Sequence, residues 1–229
     1  MIKIREYNED DKMISLISND YSLLHVLSRF GISLGFNDKT VKEVCEEEGV
    51  DCETFLTVVN FLHGNNISEE EKESLSMSSL LHYLKQSHIY FLDFYLPSIR
   101  RKLLHGITLK DSDVSFLIIK LFDEYVDGIR EHMEEEEKHL FLQVEDLIDN
   151  KKIEECEFPA YSRHHQHVGA KLRELKNIIL KYCPANARAN LLNAALYDIY
   201  RCEEELESHC LVEDRLLLHA MKAQNDRLK

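Results

Sequence analysis

Across 229 residues the chain carries only seven glycines and three prolines. These two residue types make most tight turns and end most helices. A chain so short of them has few places to reverse, so its elements must be long. Leu, Glu and Lys, all favourable inside helices, are abundant. Together these features predict an all-α fold.

Periodicity places four long helical segments in the second part of the chain, residues 72–229. The first spans about residues 77–105, with Leu80, Leu81, Leu84, His88, Phe91, Leu92 and Tyr95 on one stripe. Pro97 lies inside it and predicts a kink or local irregularity over Asp93 to Pro97. The others span about residues 113–149, 160–182 and 187–223, the third stopping before Pro184. At about 1.5 Å per residue each can cross a bundle. Their short connections make neighbours antiparallel, giving an up-down four-helix bundle.

Residues 1–64 read as a small helical domain. A short helix over residues 21–30 ends at Gly31. Asp38-Lys-Thr40 offers an N-cap for residues 41–48, which stop at Gly49, and Asp51 can cap residues 53–62. A polar linker, His63 to Glu71, follows.

Charge and cysteine content exclude several functions. A formal net charge of -14 repels phosphate, so no nucleic-acid partner is expected. No 18-residue apolar run is present, so no membrane partner is expected either. The opening MIKIREYNEDDK has no signal-peptide pattern, which makes the expected location cytoplasmic. Cysteines stand at 45, 52, 156, 183, 202 and 210 without a C-x-x-C pair. That excludes zinc-ribbon and thioredoxin readings and leaves them mostly as small buried residues.

Two of the helical segments repeat one pattern, H-x-x-x-E: His132 with Glu136, and His209 with Glu213. Residues four apart share a helix face, so each helix aims an imidazole and a carboxylate the same way. The first segment offers His82 and His88, and the third offers His164, His165 and His167. In an up-down bundle the two H-x-x-x-E helices lie diagonally opposite, as do the other two. Four imidazoles and two carboxylates would converge. If both carboxylates bridge two metals, each metal gains two nitrogens and two carboxylate oxygens. A shared oxo or hydroxo group leaves one position open on each, and such mixed ligation suits iron.

The plainer alternative is that Glu134 to Glu137 form only a solvated acidic face and that single histidines are core residues. Two H-x-x-x-E motifs on alternate helices argue against it. So does Glu213 among Leu211, Val212 and Leu216 to Leu218. A ferritin-like site needs two E-x-x-H motifs, and the chain has one, Glu136 to His139. His139, one heptad from His132, is expected to face inward as a core or outer-layer residue.

These motifs resemble haemerythrin-like proteins of the bacterial iron–sulfur cluster repair type. Two histidines six apart precede a Leu-Pro, as His82 and His88 precede Leu96-Pro97; the resemblance implies that His88 is the ligand. His132-Met-Glu-Glu-Glu136-Glu137 followed by Leu140-Phe141 matches the family pattern and selects Glu136. A His four residues before Gly169 selects His165 over His164 and His167. His209 to Glu213, followed by Asp214, matches the last motif. Leu27 to Val44 resembles the family's small leading domain, but its loop, Gly31 to Asp38, has no adjacent cysteines.

The resemblance implies a haemerythrin-like bundle with two iron ions, oxo- or hydroxo-bridged, on His88, His132, Glu136, His165, His209 and Glu213. It implies iron–sulfur cluster repair or protection under nitrosative or oxidative stress, with O2 or NO as small ligand and iron–sulfur proteins as partners. The alternative is an O2- or NO-sensing protein with a signalling N-terminal domain. A third class is a helical adaptor without metal.

Overall fold

The computed structural model describes residues 5–107, 113–153, 171–183 and 187–228. Among them are helices and turns but no strand, only an isolated bridge between Lys12 and Thr40. None of the described helices is long and apolar enough to cross a membrane.

Five short helices come first: α1 Met13–Asn19, α2 Leu24–Arg29, α3 Val41–Glu48, α4 Cys52–Leu62 and α5 Glu69–Ser74. The expected ends of α3 and α4 are present. Thr40 and Glu43 form a complete capping box, Gly49 turns left-handed at φ 68°, and Asp51 accepts from the Thr54 N–H. Helices α1 and α5 were not anticipated. Helix α1 has no side-chain cap, whereas α5 begins with a capping box of Ser68 and Glu71 inside the segment read as a linker.

The first long run is α6 Met77–Ile89, a π turn over Tyr90–Tyr95, and α7 Leu96–Gly106. The second is α8 Asp113–Glu135, a π turn over Glu136–Leu140, and α9 Phe141–Ile148. Residues 171–182 are helical (α10). The last run is α11 Ala189–Val212, a π turn over Glu213–Leu217, and α12 Leu218–Arg227. The irregularity expected near Pro97 is the first of these π turns. Proline has no N–H and crowds the carbonyl four residues back. The ladder here shifts by one residue, and the Leu96 N–H donates to the Phe91 carbonyl.

By compactness the chain divides into two units. One is Met1–Ser87 with Phe141–Glu154 and Leu211–Lys229; the other is His88–Leu140 with Glu155–Cys210. In the first, Phe30 packs against Tyr83 at 5.0 Å between ring centroids, and the Ser76 N–H donates to Thr54 Oγ1 at 2.9 Å. Cys45 and Cys52 also meet there, and burial together with the adjoining Cys52 thiol pushes Cys45 up, away from the reactive thiolate.

In the second unit all four long helical segments share one core. Phe91, Ile99 and Leu103 meet Ile118, Phe122 and Ile129, with Leu172 and Leu175 from α10 and Ile199 and Leu206 from α11. The first and last helices run antiparallel: the Arg188 N–H donates to the Gly106 carbonyl at 2.8 Å, while Lys102 pairs with Asp198 further along. Gly106 eases that approach, since a β-carbon there would stand 2.9 Å from Leu192 Cδ2 and 3.3 Å from the Leu192 backbone nitrogen. Arg100 clamps Asp123 of α8 through two hydrogen bonds of 2.7 and 2.9 Å. Among the cysteines, Cys202 joins this core and Cys45 is likewise buried; Cys52, Cys183 and Cys210 are half-buried, and Cys156 lies outside the described residues.

Candidate metal centre

The helical stripe of α6 carries His88 inward in its last turn, where it is 1% exposed, while His82 faces solvent. The stripe of α8 ends on His132, mostly covered, and Glu136, fully buried at the first position of the π turn. His209, 2% exposed, comes from the last turn of α11.

Ligand atoms of His88, Glu136 and His209 all lie within 4.8 Å of one another, and all three residues are buried. The Glu136 carboxylate faces two imidazoles at once. Its Oε2 is 3.2 Å from His88 Nε2, and its Oε1 is 2.8 Å from His132 Nε2. The His88 and His209 rings stand 5.2 Å apart between centroids. Phe91, fully buried, sets its ring edge-on to His209 at 6.1 Å and keeps water from that side.

Two expected ligands stand differently. Glu213 is fully buried and opens its own π turn one turn after His209. His165, with His164 and His167, lies outside the described residues.

The acidic run resolves into four separate roles. Glu134 pairs with Lys138 at 3.0 Å, and Glu135 with His139 at 3.6 Å, all four side chains exposed. Glu136 turns inward. Glu137 reaches His88 Nδ1 at 2.9 Å. A solvated face accounts for Glu134 and Glu135 only. Taking a carboxylate as deep as Glu136 out of water costs several kcal/mol unless opposite charge meets it. The inward expectation for His139 is corrected: its side chain is 59% exposed. The π turn that begins on Glu136 and includes His139 breaks the heptad spacing on which that expectation relied.

Sequence reasoning missed Glu137 and Glu205. The signal for Glu137 was its place directly after the inward Glu136. Glu205, 6% exposed, lies one turn before His209 on the same helix. Burial, with the Glu205 charge nearby, pushes the Tyr95 phenol up, so it stays protonated near neutrality.

Two imidazole nitrogens and a carboxylate, buried and mutually within reach, form a donor set that iron accepts. The residues present therefore fit a metal cation.

The family model described as Hemerythrin HHE cation binding domain matches residues 79–221. The chain is also similar to a protein of Staphylococcus haemolyticus (strain JCSC1435) named iron-sulfur cluster repair protein ScdA. The two are 19% identical over 184 residues, which cover 79% of this chain and 83% of the relative.

Proposed function

The chain belongs to the hemerythrin HHE cation-binding family, and from that premise we propose that it holds a non-haem di-iron centre. The ligands are His88, His132, Glu136, His165, His209 and Glu213, the last two sharing one helix at H-x-x-x-E spacing. One observation carries this reading: the two oxygens of buried Glu136 face two different imidazoles. A carboxylate presented in that way is suited to bridge two cations. His88 and His209, with Glu136, would hold one; His132 would hold the other. When bound, two irons supply one-electron redox chemistry toward a small diatomic ligand, O2 or NO.

The protein part does the rest. The imidazoles would donate through ring nitrogens, Glu136 and Glu213 would balance cationic charge, and Phe91, Met133 and Leu206 line the core of the second unit and limit water. The metal chemistry belongs to residues 72–229, since none of the six ligands precedes His88. Residues 1–64 form the small leading domain.

The cellular role we assign is repair or protection of iron–sulfur clusters in the cytosol under nitrosative or oxidative stress. The staphylococcal relative, named for iron-sulfur cluster repair, supports it. Deleting the protein should slow the recovery of iron–sulfur enzyme activity after NO or peroxide exposure, and His132→Ala should behave like the deletion. Normal recovery in both strains, with a transcriptional response to NO or O2 lost, would replace repair by sensing.

A further inference from the structure

We propose that Glu137 is a positioning residue for this centre, fixing which nitrogen of His88 is offered to the metal. The inference rests on the metal-site reading and adds a role to a residue outside the ligand set.

The His88 ring lies between two adjacent glutamates of the second long helix. Its Nδ1 is 2.9 Å from Glu137 Oε1, and its Nε2 is 3.2 Å from Glu136 Oε2. An ionised carboxylate can only accept a hydrogen bond. The contact with Glu137 therefore requires the hydrogen on Nδ1. Glu136 faces the other nitrogen, on the side where Glu136 and His209 gather; a cation bound there takes the Nε2 lone pair, and the hydrogen that stays on Nδ1 is the one Glu137 accepts.

Glu137 is suited to this task by its position. Its side chain is 48% exposed, while the imidazole it holds is 1% exposed. The carboxylate thus keeps much of its hydration and still reaches the edge of a buried ring. Glu134 and Glu135, on the same run, pair instead with Lys138 and His139. Glu137 alone of these three acts on a residue of the centre. Partners of this kind orient ligand rings and raise their basicity, and losing one typically costs about 10- to 100-fold in metal affinity. Solvent screening at Glu137 places the expected effect near the lower end, about tenfold.

The test uses the full chain. The nitrogen of His88 that keeps its hydrogen is read by nitrogen-15 NMR of the imidazole in the protein loaded with diamagnetic zinc. Ferrous iron affinity is read anaerobically by competition with a chromophoric chelator. Wild type should show hydrogen on Nδ1. Glu137→Leu should lose that preference and bind iron about tenfold more weakly, with unchanged helicity by circular dichroism. Glu137→Gln, whose amide oxygen still accepts, should keep the tautomer and most of the affinity. Glu134→Leu, removing the same charge from the same run, should change neither. A Glu137→Leu protein with wild-type tautomer and affinity overturns the proposal alone. Wild-type protein that takes up no iron overturns the metal-site reading as well.

Discussion

Helix α3 and the second long helix meet their irregularities in opposite ways. The α3 helix is eight residues long, and both of its ends are set by local chemistry: the Thr40–Glu43 box in front, Gly49 at φ 68° behind. The second long helix runs from Asp113 to Ile148 with an interruption in the middle, a π turn that begins on Glu136. The last long helix does the same on Glu213. The caps fix where α3 starts and stops, while Val41, Val44 and Cys45 bury its inner face. A long helix held by a shared core tolerates a misplaced turn, and π turns gather at functional positions. Here the two that lack a nearby proline start on the two carboxylates of the H-x-x-x-E motifs.

If that contrast is right, substitutions in the two regions should separate metal binding from stability. The largest effect belongs to the interrupted helices. Glu136→Gln should remove at least half of the bound iron, as should His209→Ala. Metal-free Glu136→Gln should be no less stable than wild type, because it removes a buried charge without emptying its space. Iron content and thermal unfolding of the metal-free protein check both statements. A variant that keeps its iron would end the bridging role of Glu136.

Next in size come the ends of α3. Gly49→Ala forces a β-carbon into the left-handed region and should cost about 1–2 kcal/mol. Thr40→Ala should cost about 1 kcal/mol through loss of the cap. Denaturant titration reads both, and iron content should stay at the wild-type level. Loss of iron in either would mean that the short helices support the centre.

The smallest effects sharpen the face assignment. His139→Ala should leave iron unchanged, since that side chain is exposed beside Glu135. Cys210→Ser should do the same, because adjacent residues on a helix point about 100° apart and His209 takes the inward direction. Iron loss in His139→Ala with retention in His132→Ala would reverse that choice.

Much of this organisation was readable beforehand where spacing and caps carry it. The stripe that carries His88 followed from 3.6-residue periodicity, the pairs His132 with Glu136 and His209 with Glu213 from H-x-x-x-E spacing, and α3 and α4 from their caps. Four features escaped for physical reasons. Helix α1 follows Lys12 with no capping side chain, so nothing local announces it. Helix α5 does carry a Ser68-x-x-Glu71 box, masked by the polar stretch around it. The outward turn of His139 depends on a π turn whose cause is tertiary, so a heptad count could not find it. The hydrogen bond from His88 to Glu137 joins residues 49 apart in the chain, and only the packed helices bring them together.

The buried histidines and glutamates are proposed to hold a pair of irons. Anaerobic loading of the full chain with ferrous iron, followed by desalting and metal analysis, tests it most directly. Wild type should retain about two irons per chain, and Glu136→Gln one or none. A folded, helical wild-type protein that emerges without iron would contradict it.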